Sequence, residues 1–111
     1  MSEKQQYIII FITAPSHEEA EKIAFKLVEE RLAACVNIIP GIKSVYIWKE
    51  ELCRDDEYLL VVKSTKGKFK DIEKEVKELH SYEVPEIISF GIDQGSREYL
   101  NWINEVVSDK A

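Results

Sequence analysis

Two stretches decide the fold: Tyr7-Ile8-Ile9-Ile10-Phe11-Ile12-Thr13 and Tyr58-Leu59-Leu60-Val61-Val62-Lys63-Ser64. Both are short continuous runs rich in β-branched and aromatic residues, and they read as strands apolar on both faces. Ala14-Pro15 breaks the first run. Ser16 with Glu19 three positions later is a capping-box pattern, in which each side chain satisfies a free amide of a first helical turn. Ala20, Ile23, Ala24, Leu27, Val28 and Leu32 then follow at helical spacing, which predicts an amphipathic helix over 16–32.

Working outward, Cys35-Val36-Asn37-Ile38-Ile39 reads as a second strand, bent at Pro40-Gly41 and resumed over Ser44-Val45-Tyr46-Ile47-Trp48. A proline within a strand points to an edge position or a bulge, because it has no N–H to donate to the ladder. The charged residues Lys49-Glu50-Glu51 and Arg54-Asp55-Asp56 read as the hairpin turn, with Cys53 inside it. A second helix carries Phe69, Ile72, Val76 and Leu79 on one side. Pro85 precedes a fourth strand over 86–92, and Gly95-Ser96 opens a last helix carrying Leu100, Ile103 and Val107. The order is β-α-β-β-α-β plus a terminal helix, with no linker or repeat over residues 1–111. Right-handed crossovers place both main helices on one face of a four-stranded antiparallel sheet, with the first and third strands central. The expected class is therefore α+β, a single ferredoxin-like domain. Helices cover one face of such a sheet, yet the central strands are apolar on both, so a second copy or a partner is expected over the other.

The chain has 111 residues, of which 45% are hydrophobic, enough for a core without covalent staples. Its 15 basic and 21 acidic residues give a net charge of −6, the wrong sign for a nucleic-acid partner. Two cysteines make no disulfide framework. The opening Met1-Ser2-Glu3-Lys4-Gln5-Gln6 has no secretory pattern, and the run from Ile8 to Ile12 is far short of a membrane span. A cytoplasmic protein without a membrane partner is the expectation.

Function has to be argued from sites, because this topology hosts many activities. The loop Thr13-Ala14-Pro15-Ser16-His17 lacks the arginine of a phosphate cradle and the paired thiols of a copper-carrying loop. Cys35, which begins a strand, and His80, which ends the second helix, remain, with Glu83 and Glu86 close to His80 in sequence. A thiolate, an imidazole and a carboxylate hold Cu(II) or Zn(II) if they converge. Cys35 as a small buried hydrophobe and His80 as a helix C-terminal cap are the plain alternatives. Trp48, Tyr46, Tyr82, Tyr99 and Trp102 either line a ligand cleft between subunits or pack an interface. His17, in the first helical turn among carboxylates, reads as a solvated surface group.

Arg31-Leu32-Ala33-Ala34-Cys35-Val36-Asn37-Ile38-Ile39-Pro40-Gly41, followed by Ser44-Val45-Tyr46-Ile47-Trp48, resembles the divalent-cation tolerance family, CutA. Ile12-Thr13-Ala14-Pro15, Tyr58 to Thr65, His80-Ser81-Tyr82-Glu83-Val84-Pro85-Glu86-Ile87 and Tyr99-Leu100-Asn101-Trp102-Ile103 extend the resemblance along the whole chain. It implies a cytoplasmic homotrimer associated with tolerance to copper and other divalent metals, without enzymatic activity. It also implies a trimer similar to the nitrogen-regulatory PII signalling proteins, with a ligand site at the clefts between subunits as the alternative function. Family members credited with copper binding carry a Cys and a His-His pair where this chain has Ile12, Leu79 and His80. The metal set expected instead is Cys35, His80, Glu83 and Glu86, with a divalent ion such as Cu(II) as ligand.

Overall fold

The computed structural model describes residues 6–108, and the two ends of the chain lie outside it. Strand β1 (Tyr7–Ala14) leads into helix α1 (His17–Glu29), followed by the long strands β2 (Cys35–Trp48) and β3 (Glu51–Thr65). A single 3-10 turn (Lys66–Lys68) introduces helix α2 (Phe69–Leu79), then strand β4 (Ile87–Gly91) and helix α3 (Arg97–Val107). The antiparallel sheet has the order β2-β3-β1-β4, so the two apolar runs are indeed the central pair.

Alternation along β1 sends Ile8, Ile10 and Ile12 into a core shared with Ile23 and Leu27 of α1, Leu60 and Val62 of β3, and Ile72 and Val76 of α2. Ile10 and Ile12 are wholly buried, and each such side chain contributes about 1.5–3 kcal/mol of apolar burial. The other face carries Ile9, Phe11, Leu59 and Val61 in the centre, with Ile39, Ile88 and Phe90 on the flanking strands. Phe11 and Phe90 meet edge to face there, at 5.2 Å between centroids. Ile39, Ile88 and Phe90 stay 42%, 52% and 47% exposed, so this face is left open by the described residues. Helix α3 closes one end of it, where Ile103 and Val107 pack with Ala34, Tyr7 and Leu100.

Three local readings change. Helix α1 stops at Glu29 rather than Leu32, with Arg31 at φ +57°. The Arg31 N–H donates to the Val28 carbonyl and the Leu32 N–H to the Leu27 carbonyl, the paired bonds that end a helix in a left-handed residue. No glycine marks that stop in the sequence. The capping box is half formed: Ser16 Oγ accepts from Glu19 N–H at 3.1 Å, but the Glu19 carboxylate turns toward Ser81 instead of the cap. The hairpin turn is only Lys49-Glu50, and Glu51 to Asp56 belong to β3, so Cys53 is a strand residue opposite Tyr46. Pro40 does stand at a bulge on the edge strand β2, between Ile39 and Ile42, with Gly41 at φ +81°.

Beyond Tyr58 no further strand among the described residues lies beside the β2–β3 hairpin, so residues 42–57 form a two-stranded ribbon and the described molecule reaches 50 Å in length. Its tip has positive φ at both central residues, +51° at Lys49 and +69° at Glu50, the turn geometry that matches strand twist and usually takes Asn-Gly. Replacing Glu50 by Gly removes a left-handed side chain and is expected to raise stability by about 0.5–1 kcal/mol, read as a higher melting temperature.

Candidate functional site

Helix α2 ends where His80 N–H donates to the Val76 carbonyl at 2.8 Å and the backbone turns extended. The imidazole does not cap its own helix. It is fully buried and its Nε2 lies 2.7 Å from the Thr13 carbonyl, just past the point where β4 stops pairing with β1 at Ile12. Tyr82 N–H donates to Nδ1 at 3.0 Å. An amide can only donate, so Nδ1 offers its lone pair and Nε2 carries the proton toward Thr13. Glu19 of α1 stands 3.2 Å from Nδ1, and its carboxylate accepts from Ser81 N–H at 2.9 Å and Ser81 Oγ–H at 3.2 Å. One ring thus ties the end of β1 to the loop over 80–86, and Glu19 fastens that loop to α1.

That loop and the ribbon are the walls of a cleft of about 670 Å³, the size of a small-molecule site. Ser44, Tyr46 and Trp48 come from the ribbon, Tyr82, Glu83 and Glu86 from the loop, and Thr13 and Glu57 close the inner end. Glu57 is 5% exposed and accepts from Ser44 Oγ–H at 2.5 Å and from Tyr82 Oη–H at 2.7 Å. Burial and the bond to Glu57 hold the Tyr82 hydroxyl well above the usual phenol range, so it remains a donor. Tyr46 hydrogen-bonds Asp55, which pushes its hydroxyl up to about 12. Partial burial, then the neighbouring Glu57, raise the Glu86 carboxyl.

Of the residues expected from the sequence, Glu83 and Glu86 share this cleft, and His80 stands behind its wall with both ring nitrogens engaged. Cys35 is elsewhere. It pairs through Lys63 with Ile9, four residues along β1 from Thr13 and two strands across. That register separates it from the Thr13 end by about 13 Å along the strands and about 10 Å sideways. Its sulfur meets Lys63 Nζ at 3.9 Å. Among the described residues no group of three His, Cys, Asp or Glu side chains is placed to hold one metal ion. Tyr46, Trp48 and Tyr82 do line the cleft, whereas Tyr99 and Trp102 pack against each other in α3, tilted by 42° with centroids 5.5 Å apart. His17 is exposed and pairs with Glu21 along its helix, as a surface residue should. Glu57 and Ser44 are the polar floor that sequence reasoning missed.

The family model described as CutA1 divalent ion tolerance protein matches residues 8–106. A curated relative from Thermus thermophilus, the divalent-cation tolerance protein CutA, is 53% identical over 97 residues, 87% of this chain and 94% of its own. The Archaeoglobus fulgidus protein of the same name is 48% identical, over 88% of this chain and 95% of its own. The solved structure of the Thermus thermophilus divalent cation tolerance protein superimposes with a TM-score of 0.90, at 50% identity over 92% of this chain and 99% of its own. Pyrococcus horikoshii CutA1 superimposes at 0.86 with 32% identity, over 92% of this chain and 99% of its own.

This chain belongs to the CutA1 family. Ile12 is wholly buried, and Leu79 packs against the same cluster.

The raised Glu86 carboxyl gives a signed pH test. Its charged form is disfavoured in the folded protein, so this contribution is favourable below the unfolded carboxylate value and is lost as pH rises through the folded one. Glu86→Gln is therefore expected to raise the melting temperature near neutral pH and to leave it unchanged below about pH 4. Since Glu86 is largely open to water, the gain is small. Thermal unfolding of both proteins across that range checks the sign.

Proposed function

We propose that this family member is a non-enzymatic cytoplasmic homotrimer that binds divalent cations through the carboxylates of the cleft. The observation that carries this reading is that Glu83 and Glu86 line one cleft with no lysine or arginine among its described lining residues, while Glu57 at its floor is taken up by Ser44 and Tyr82; two rim carboxylates hold a hydrated ion rather than enclose a bare one. Carboxylate oxygens are the donors that Mg²⁺, Mn²⁺ and Ca²⁺ prefer, and Cu(II) and Zn(II) accept them beside imidazole. Here Glu83 and Glu86 supply the charge at the rim, and His80 positions the loop that carries them. Cys35 of the same chain is out of reach, so the site is an oxygen site open to divalent ions in general, Cu(II) included.

The trimer rests on the exposed apolar face of the sheet, where Ile39, Ile88 and Phe90 find no cover among the described residues. An apolar surface of that kind is what an interface between copies buries. The cytoplasmic placement rests on two free thiols, Cys35 and Cys53, which suit a reducing compartment. Among the described residues no helix is long and apolar enough to cross a membrane.

Native mass spectrometry during separate titrations with Cu(II), Zn(II) and Mg(II) tests both parts. The expected result is a trimer that takes up ions in proportion to its subunits, with affinity falling at least tenfold in the double variant Glu83→Gln, Glu86→Gln. A monomer at micromolar protein contradicts the assembly. Uptake that the double variant leaves unchanged contradicts the site.

A further inference from the structure

The hairpin tip holds a group that the cation reading leaves unused. Lys49 Nζ sits 5.6 Å from the centroid of the Trp48 ring and 3.8 Å from Glu83 Oε1. Both partners line the cleft, so an ammonium ion from the chain itself is seated at the rim between an aromatic face and a carboxylate. The backbone under it is not relaxed: Lys49 and Glu50 both occupy left-handed φ values that Asn-Gly would adopt with less strain.

We infer that the cleft is a receptor for an organic ammonium ion, and that Lys49 is the tethered cation occupying its outer seat in the free protein. Three features fix the chemical class. The charged residues lining the cleft are all carboxylates, Glu57, Glu83 and Glu86, which disfavours phosphate, nucleotide or carboxylate ligands. The lining includes Tyr46, Trp48 and Tyr82, and the Trp48 ring already takes an ammonium ion 5.6 Å from its centroid, a contact of no use to a hydrated metal ion. The volume of about 670 Å³ is far more than one ammonium group fills, so the ligand carries an apolar or aromatic body as well. The positive head takes the place of the Lys49 ammonium at Trp48 and Glu83. The body then lies inward beside Val45, Val84 and Tyr82, above the polar floor of Ser44 and Glu57. Lys49 acts as a built-in competitor, which sets the threshold concentration for entry.

The probe is phenethylammonium chloride, titrated into the full chain in EDTA. Trp48 emission is the readout, in a Trp102→Phe background, and phenethyl alcohol is the neutral control. A saturable change with the ammonium and none with the alcohol is expected. Lys49→Met removes the tethered competitor and is expected to tighten the probe about 2- to 5-fold, the equivalent of about 0.5–1 kcal/mol. Trp48→Leu, followed by probe NMR because the reporter is gone, is expected to lose binding while the circular dichroism of the fold persists. Equal binding of the alcohol, no saturable response to the ammonium, or unchanged or weaker binding in Lys49→Met overturns the inference. EDTA removes divalent ions, so the outcome stands apart from that of the metal titrations.

Discussion

The buried imidazole of His80 is the point on which the functional end of the molecule depends. It accepts the Tyr82 amide on one nitrogen and donates to the Thr13 carbonyl on the other, and both partners are main-chain groups. Leaving such buried groups unpaired costs about 1–3 kcal/mol each, so the ring holds a loop that has no regular structure of its own. Glu19 reinforces it, binding Ser81 by amide and hydroxyl. The usual partner of that glutamate, the cap of its own helix, has been given up for this link. With the loop fixed, Tyr82 reaches Glu57 across the cleft and joins it to Ser44 of the ribbon.

The ribbon needs those links. Two strands without a third beside them are marginal in water, and residues 42–57 have none among the described residues. Val45, Ile47 and Leu52 lie on one side of it and stay 66%, 71% and 77% exposed, so its own burial contributes little. The opposite side carries Ser44, Tyr46 and Glu57, and there the polar contacts gather: Ser44 and Tyr82 on Glu57, and Tyr46 on Asp55. The same bonds that stiffen the ribbon also concentrate carboxylates on the cleft side. Structure and electrostatic character arise together, in a chain whose overall charge is already −6.

Much of the architecture could be read from residue pattern. The runs at Tyr7 and Tyr58 are buried on their helix face and apolar on the other, and they take the centre of the sheet because that is where such strands gain most. Pro40 announced its bulge through a missing N–H. What stayed hidden has physical reasons. The acidic and basic residues from Glu51 to Asp56 resemble a turn because a ribbon exposed on both sides has no apolar alternation to betray it. Arg31 ends α1 in a conformation that glycine normally signals. Glu57 looks like one more surface acid until Ser44 and Tyr82, distant in sequence, close over it. Cys35 and His80 drew notice as metal-binding residue types, yet the sheet register sets Cys35 two strands across and four residues along from Thr13, the residue His80 bonds. Only Glu83 and Glu86 of that set share the cleft.

His80, with both ring nitrogens engaged by main-chain groups, is a clamp rather than a metal ligand. The most direct test is a long-range proton–nitrogen NMR spectrum of its ring at neutral pH, recorded before and after addition of Zn(II). The account predicts a proton on Nε2 alone, an Nδ1 unprotonated and hydrogen-bonded, and ring signals unchanged by the metal. A ring protonated on Nδ1, or ring signals that shift on metal addition toward a bound imidazole, would contradict it.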